Sequence, residues 1–241
     1  MGEAAAATEA LARIQQRWGV GVIRRGRVVV DPQLRGLVVR SSGFAALDAL
    51  LAPRGAPDGL TLLRGAVGSG RTTLALRTAA ATQAAGGAVA WIDASHTFDG
   101  VEAAARGVQL TSLPIVMPFD INEALETAGS IIAADAADLL ILDCAGVRAS
   151  VRGDGLERLA ARARRTGAAV IALVDSAEGV LSDLSLECST VGWLRIGSDV
   201  VGRKICVALR SGPRRDAQVL IDVLEPRSAR EAIRNERIAA E

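Results

Sequence analysis

Residues 60–76, LTLLRGAVGSGRTTLAL, decide how this chain folds. A short apolar run, Leu60–Leu63, is followed by a glycine-rich turn, Gly65–Gly70, and then by an alanine-rich stretch, Thr72–Ala85. This order predicts a strand, a turn and a helix. It is the setting of a P-loop, because the backbone N–H groups of such a turn and the helix N-terminus surround phosphate oxygens. The spacing G-x4-G-x-[ST] is met, so the sequence predicts P-loop ancestry.

One position departs from the P-loop pattern. Arg71 replaces the lysine that reaches the terminal phosphates, and a planar guanidinium does not superpose on a compact ammonium. Thr72 is placed to hold Mg²⁺, and Asp143, which ends the apolar run DLLILD, is placed as a second-sphere carboxylate. We therefore expect ATP and Mg²⁺ to bind weakly if they bind, and no cofactor to be required. The candidate nucleotide-binding residues are Gly65, Gly68, Ser69, Gly70, Arg71, Thr72, Thr73 and Asp143.

Outward from the P-loop, apolar segments alternate with helical ones. Strands that are apolar on both faces and separated by helices are typical of a parallel sheet covered on both sides. After residue 190 the helices stop, which indicates an antiparallel C-terminal edge. The predicted fold class is α/β, a mainly parallel sheet with helices on both faces. The predicted strands are 60–63, 88–93, 115–117, 138–143, 168–174, 191–196, 204–209 and 218–224, and the predicted helices are 72–85, 99–107, 122–134 and 155–166.

Both ends of the chain have a pattern of their own. An amphipathic helix is predicted at 4–18, a short strand at 27–31 and a charged helix at 228–241. The two N-terminal elements cannot bury their apolar sides alone, so we expect them to dock on a partner or a second copy, or to fold back on the core. The candidate docking residues are Leu11, Ile14 and Trp18. The predicted domains are the docking element 1–33, the core 34–224 and the tail 225–241.

Composition excludes several classes of protein. Half of the 241 residues are apolar and 23% are charged, which is typical of a folded domain with a large core. No apolar run approaches the roughly 18–20 residues that span a bilayer, and no signal peptide is visible. The three cysteines, Cys144, Cys188 and Cys206, are isolated. We therefore expect a cytoplasmic protein with buried, reduced thiols and no membrane partner.

Basic residues are unevenly distributed. The net charge is +1, but residues 148–165 carry six Arg and residues 195–215 carry five Arg and Lys204. This favours one basic face for phosphates or an acidic partner, although solvated arginines scattered over the surface are the alternative. With no Tyr and only three Trp and three Phe, base stacking is not the main device, so we expect non-specific, salt-sensitive DNA binding. The candidate DNA-binding residues are Arg152, Arg158, Arg162, Arg164, Arg165, Arg203, Lys204, Arg210, Arg214 and Arg215.

Several segments resemble the bacterial RecA recombinase family in order along the chain. They are residues 10–26 (ALARIQQRWGVGVIRRG), 43–50 (GFAALDAL), 57–59 (PDG), 91–107 (WIDASHTFDGVEAAARG), 138–143 (DLLILD) and 193–209. The resemblance covers nearly the whole chain to about residue 224. It implies a RecA-like core and an N-terminal element that packs on the next subunit.

The departures from the family pattern concern nucleotide handling. The family's catalytic glutamate falls at Ser95, its adenine-stacking tyrosine at Glu102, and the glutamine that relays nucleotide state to DNA near Ser176. The stretches after Asp143 and Asp175, which correspond to the mobile DNA-binding loops, are much shorter. Without a carboxylate to orient water, the sequence predicts little or no ATP hydrolysis.

These departures are similar to those of short, degenerate ImuA-type relatives. The resemblance implies an accessory role in SOS-induced translesion synthesis with an ImuB-like Y-family protein, RecA and an error-prone replicative-type polymerase. One alternative is an active DNA-dependent ATPase or recombinase, with Asp93 or Asp99 standing in for the glutamate. Another is a SulA-like cell-division regulator.

Three further residues are assigned structural roles. His96, the single histidine, is interpreted as a structural residue of the turn rather than a metal ligand or an acid–base group. Trp91 and Trp193 lie on predicted buried strands, so we expect both to pack in the core.

Overall fold

The computed structural model describes residues 40–52, 57–147, 153–175, 180–212 and 214–225. The chain divides into two units, Met1–Val30 and Asp31–Glu241, and every described residue belongs to the second. The predicted docking element, the predicted C-terminal helix, Arg152 and Ser176 all lie outside the described residues.

The described residues form alternating strands and helices followed by three strands without helices. The helices are α1 (Ala45–Leu51), α2 (Arg71–Ala84), α3 (Gly100–Ala105), α4 (Ile121–Ala133) and α5 (Gly153–Thr166), with a 3-10 turn at Leu110–Ser112. The strands are β1 (Gly59–Arg64), β2 (Val89–Asp93), β3 (Ile115–Val116), β4 (Leu139–Asp143), β5 (Ala169–Val174), β6 (Leu184–Ile196), β7 (Asp199–Ser211) and β8 (Gln218–Leu224).

One sheet joins these strands in the order β3-β2-β4-β5-β1-β6-β7-β8. The strands from β3 to β6 in this order pair in parallel, and β6, β7 and β8 pair antiparallel. The predicted fold class is therefore confirmed, and predicted elements agree with the observed ones within about two residues except at β6 and β7, which begin earlier. Helix α1 was not predicted.

Both faces of the parallel sheet are covered. Helices α1, α2 and α3 pack on one face around Leu74, Trp91 and Ile141, and helices α4 and α5 pack on the other around Leu140 and Leu156. This is why the parallel strands are apolar at nearly every position. Short acidic residues begin two of the helices: Asp99 accepts the N–H groups of Val101 and Glu102, and Asp120 those of Asn122 and Glu123.

The prediction for Trp91 is confirmed, and that for Trp193 is wrong. Trp91 is fully buried and meets Phe98 edge to face, with ring centroids 5.1 Å apart. Trp193 is 65% exposed. The reason is that β6 pairs with β1 only over Leu184–Glu187, and the remainder of β6 runs past the end of β1 as a hairpin with β7.

Along strand β7 of the antiparallel part, successive side chains point alternately to a face that is covered by helices and to the opposite, open face. Ile205, Val207 and Leu209 of β7 join the core beneath α1 and α2. Lys204 and Arg210 alternate with them and therefore project from the opposite face. Among the described residues, no helix is long and apolar enough to cross a membrane.

Candidate functional site

The glycine-rich turn has the backbone that a P-loop requires. Gly65, Gly68 and Gly70 have φ of 149°, 79° and 95°, where an L side chain is strained. A Cβ on Gly65 would also lie 2.6 Å from the carbonyl oxygen of Cys188. The turn delivers the chain from the end of β1 into α2, whose first backbone N–H groups are free to face a ligand.

The turn borders a cleft of about 350 Å³. Except for Gly65, all the predicted nucleotide-binding residues line it, including Thr72, which is exposed there, and Asp143. The rest of the lining is formed by Ala66, Val67, Thr97, Ala145, Gly146 and Arg203. The structure therefore brings together the residues that the sequence selected and adds Arg203, which the sequence had assigned to DNA.

Arg71 does not face the cleft as a free cation. Its Nη1 donates to the carbonyl oxygens of Gly65 and of Val174, the latter at 3.3 Å, and lies 2.6 Å from Oδ1 of Asp175. The side chain is only 6% exposed. The guanidinium is thus bound beneath the turn, where it joins the ends of β1 and β5, and its charge is balanced by Asp175.

The pKa of Asp175 reflects this pairing. Partial burial would raise the pKa, but hydrogen bonds from the Gly146 N–H and from Arg71, together with the Arg71 charge, lower it below the usual range. The ion pair therefore persists at neutral pH, and Arg71 has no charge to spare for a terminal phosphate.

Two buried carboxylates lie side by side at the carboxyl ends of β2 and β4. Asp93 and Asp143 are register partners and are 0% and 2% exposed. Burial, together with the neighbouring Asp93 charge, raises the pKa of Asp143 to about 6 against the opposing hydrogen bond from the Ala145 N–H. This wall of the cleft is acidic.

The carboxylates considered as stand-ins for a catalytic glutamate are engaged in structural contacts. Asp93 accepts the N–H groups of Thr97 (3.2 Å) and Phe98 (2.9 Å) and the hydroxyl of Ser95 (2.9 Å). Asp99 caps α3. Neither of these two is left to orient an attacking water. Glu102, at the position of the family's adenine-stacking tyrosine, lies 2.6 Å from Nε of Arg106 in an (i, i+4) ion pair.

The β6–β7 hairpin fastens the glycine-rich turn from the other side. The Gly68 carbonyl oxygen accepts a hydrogen bond from Thr190 Oγ1 at 2.8 Å and from Arg203 Nη1 at 3.0 Å. Arg203 Nη2 also donates to Thr73 Oγ1 at 3.3 Å. Arg203 is 135 residues from Gly68 in the chain, so no local sequence signal indicated this contact.

The site fits phosphate groups better than it fits ATP turnover. The loop N–H groups, the N-terminus of α2, the Thr72 hydroxyl and the Asp143 carboxyl are the groups that would hold phosphates and Mg²⁺. The buried Ser69 hydroxyl, which borders the cleft, has no hydrogen-bond partner among the described residues. Arg71 and Ser95 do not fit the terminal phosphate or the attacking water.

The candidate DNA-binding arginines of α5 form one stripe. Arg158, Arg162 and Arg165 are exposed and follow the spacing i, i+4, i+7, which places them on one side of the helix. Arg162 Nη1 donates to the Gly129 carbonyl oxygen at 2.8 Å, and Arg164 faces Asp183 at 3.4 Å.

The remaining candidates lie elsewhere and are mostly paired. Arg203 lines the cleft, while Lys204 and Arg210 project from the opposite face of the sheet, next to Asp222 and Glu187. Arg214 donates to the carbonyl oxygens of Ala49 and Leu50, and Arg215 lies 3.9 Å from Asp216. The basic residues that the sequence assigned to one DNA-binding face therefore lie on separate parts of the structure.

The other polar candidates have structural contacts. His96 adopts a left-handed backbone (φ 55°) and its Nε2 lies 3.0 Å from the Pro118 carbonyl oxygen. The described residues hold no group of His, Cys, Asp and Glu that suits a metal ion. The three cysteines are free, and burial raises the pKa of the Cys144 and Cys188 thiols to about 12.

Comparison with known proteins agrees with this architecture. The family model of the RecA N-terminal domain matches residues 5–176. Protein RecA of Lactobacillus johnsonii is 32% identical over 233 residues, covering 81% of this chain and 64% of that protein. Protein RecA of Streptococcus pyogenes serotype M49 is 36% identical over 150 residues, covering 61% and 39%. The chain thus matches between 39% and 64% of the length of these two relatives.

A solved structure extends the likeness to the fold. The crystal structure of the RadB recombinase matches with a TM-score of 0.59 at 19% sequence identity. The match covers 79% of this chain and 98% of that chain.

Proposed function

Because this chain belongs to the RecA N-terminal domain family, we propose that it serves DNA repair or recombination as an accessory protein that does not turn over ATP. In its finer form the proposal is an ImuA-type role in damage tolerance. The partners are then an ImuB-like Y-family protein, RecA and an error-prone replicative-type polymerase.

The observation that carries the proposal is the state of Arg71. A P-loop cation accelerates phosphoryl transfer only when its charge reaches the transferred group. Here the charge is bound to Asp175 and to two carbonyl oxygens beneath the turn. Ser95 stands where the resembled family has its catalytic glutamate, and Asp93 and Asp99 are engaged in capping contacts.

An accessory protein that does not turn over ATP would act through its contacts with proteins and DNA. The stripe of Arg158, Arg162 and Arg165 on α5 is the exposed basic surface that supports non-specific DNA binding. The N-terminal element with Leu11, Ile14 and Trp18 is proposed to dock on a partner or on a second copy. These assignments follow from residue chemistry and from the family resemblance.

The test of turnover is phosphate release from ATP by the purified chain, with and without single-stranded DNA. We expect no phosphate release above that of the Thr72→Ala variant. The reason is that loss of the general base alone lowers the rate of hydrolysis by about 10²–10⁴-fold. Arg71→Lys alone should restore nothing, since Ser95 remains. DNA-stimulated release that is abolished by Thr72→Ala would refute the proposal and favour an active DNA-dependent ATPase.

The test of the DNA surface is a salt titration of binding to duplex DNA. Each phosphate contact should contribute a slope of about −0.9 in log K against log[salt]. The triple variant Arg158→Glu, Arg162→Glu, Arg165→Glu should bind more weakly with a shallower slope, and Lys204→Glu with Arg210→Glu is the matched control. Unchanged binding by the triple variant would remove the stripe from the DNA interface.

The test of partners is capture from cells treated with a DNA-damaging agent, followed by reconstitution with purified components. Recovery of an ImuB-like protein or RecA, lost on deletion of residues 1–33, is the expected result. Recovery of a cell-division GTPase instead would favour the SulA-like alternative.

A further inference from the structure

The loops that follow three neighbouring strands of the parallel sheet meet at one carboxylate. In the sheet, β5 lies between β4 and β1. Asp175 directly follows β5, the glycine-rich turn follows β1, and a tight turn at Ala145 and Gly146 follows β4. Parallel strands end at the same edge of a sheet, so a side chain at the end of the central strand can reach the loops on both sides.

Asp175 makes one contact on each side. Toward β4, its Oδ2 accepts the N–H of Gly146 at 2.7 Å. Toward β1, its Oδ1 lies 2.6 Å from Nη1 of Arg71, the first residue of α2. The two oxygens of a single carboxylate are therefore used by two different loops.

Arg71 carries this connection into the glycine-rich turn. Its Nη1 also donates to the carbonyl oxygens of Gly65 and of Val174, the latter at 3.3 Å. The side chain is only 6% exposed, so moving it away would leave these acceptors without a donor in a place that water hardly reaches. Two side chains thus join the turn after β1, the end of β5 and the turn after β4.

Backbone pairing between these strands stops before the loops begin. The last backbone bond from β4 to β5 runs from the Cys144 N–H to the Leu173 carbonyl oxygen at 3.0 Å, and the register of β1 with β5 ends at Arg64 and Val174. Within the described ranges, no other hydrogen bond or ion pair joins the turn after β4 to the glycine-rich turn. The link between the two turns therefore depends on the two side chains.

We propose that Arg71 and Asp175 form a clamp that couples the turn after β4 to the glycine-rich turn, so that loosening one turn loosens the other. Such coupling needs a continuous path of contacts between two segments, and the clamp supplies that path. A partner that displaces the segment around Gly146 therefore also releases the glycine-rich turn. This inference goes beyond the proposed function, because it concerns how two loops are held and involves no reaction.

The experiment is amide hydrogen exchange of the full chain at neutral pH, resolved by NMR at one amide of each turn. The Gly146 N–H reports the turn after β4, and the Ser69 N–H, which donates to the Ala66 carbonyl oxygen at 3.0 Å, reports the glycine-rich turn. Exchange measures local opening of each segment. The variants are Arg71→Ala, Asp175→Ala and the two combined.

The decisive results are the effects on the far side of the clamp. Arg71→Ala should speed exchange of Gly146, and Asp175→Ala should speed exchange of Ser69, each by about 3-fold or more. A hydrogen bond to a charged group is worth about 10-fold or more in an equilibrium constant, and part of this is transmitted. The double variant should exchange within about 2-fold of the faster single variant at both amides, because the clamp is already open.

Two controls separate the clamp from other causes. Arg210→Ala breaks the half-exposed ion pair with Glu187 elsewhere in the sheet and tests removal of an arginine charge. Ile132→Val makes a small cavity in the core at a fully buried residue of α4 and tests a general loss of stability. Both should change exchange at Ser69 and Gly146 by less than about 2-fold. Thermal melting checks folding, and Asp175→Asn, read at Ser69, replaces any alanine variant that does not fold.

Three results would overturn the inference. They are a far-side effect below about 3-fold in either single variant, a double variant in which the two effects multiply, and an Ile132→Val variant that speeds both amides as much as the clamp variants do. None of these measurements involves ATP. Failure of the clamp therefore leaves the proposed function standing, and ATP hydrolysis would refute the proposed function without bearing on the clamp.

Discussion

The parallel part of the sheet, β1 to β5, and the antiparallel extension, β6 to β8, treat the same residue types in opposite ways. Trp91 of β2 is fully buried, whereas Trp193 of β6 is 65% exposed. Arg71, at the start of α2, is bound by Asp175 and two carbonyl oxygens, whereas Arg203 of β7 reaches across to the glycine-rich turn. The parallel part buries both of its residues, whereas in the extension Trp193 is exposed and Arg203 donates to Gly68 and Thr73 from a distant strand.

This difference separates the structural roles of the two regions. The parallel part keeps the frame of a P-loop, but its charged groups now stabilise the frame itself. The extension supplies Arg203, which lines the cleft and donates to the turn, and it carries an exposed aromatic side chain, Trp193. The two regions can therefore be compared by paired substitutions of the same residue type, with stability as the measured quantity.

The largest contrast is expected between the two tryptophans. Trp91→Ala should lower the free energy of unfolding by about 3–5 kcal/mol, because it removes a fully buried ring and leaves a cavity. Trp193→Ala should lower it by less than about 1 kcal/mol. Urea unfolding followed by circular dichroism measures both. Equal losses would show that the hairpin is packed against something in the full chain.

The second contrast concerns two aspartates and pH. The pKa of Asp143 is raised to about 6 in the folded chain from 3.8, so the folded state favours the protonated carboxyl. Its ionisation therefore costs stability as the pH rises from below 3.8 through about 6.

Asp143→Asn removes that cost. The variant should match the wild type near pH 3 and exceed it by up to about 3 kcal/mol near pH 7.5. Asp222→Asn, at a side chain that is 59% exposed on the extension, is the control for the substitution itself. A variant that is less stable than the wild type at pH 7.5 would assign Asp143 a stabilising charge.

The third contrast pairs two arginines. Arg71→Ala should cost about 1–3 kcal/mol, because the carbonyl oxygens of Gly65 and Val174 lose their donor and Asp175 loses its counter-charge. Arg210→Ala should cost less than about 0.5 kcal/mol, because its ion pair with Glu187 is half exposed. Thermal melting at neutral pH compares the two variants. An Arg71→Ala variant with unchanged stability would mean that the Arg71 side chain is free to face the cleft.

The smallest effect is expected where the two regions touch. Thr190→Val removes the hydroxyl that donates to the Gly68 carbonyl oxygen at 2.8 Å and should cost about 0.5–1 kcal/mol. Hydrogen exchange of the turn should become faster in this variant, and Ser189→Ala, at the adjacent exposed position, is the control. Unchanged exchange would show that the hairpin does not fasten the turn.

Much of the parallel part could be predicted from the sequence. Strands such as Leu139–Asp143 are apolar at nearly every position, and glycine-rich turns separate them from alanine-rich helices. The position of Asp143 beside the cleft follows from the same pattern, because parallel strands end at one edge of the sheet. The bounds and exposure of the strands in the extension were harder to predict. A strand segment that runs past the end of its neighbour has the same local composition as one that is paired on both sides.

The sequence by itself determined the fold class, the place of the glycine-rich turn and most of the candidate nucleotide-binding residues that line the cleft. These depend on hydropathy, turn residues and capping within a few positions of one another. The tertiary structure decided that Arg71 turns beneath the loop toward Asp175, that Arg203 reaches Gly68, and that Trp193 is exposed. Each of these depends on strands that are distant in sequence and close together in the sheet. The composition of a segment does not specify which other strands it will lie beside.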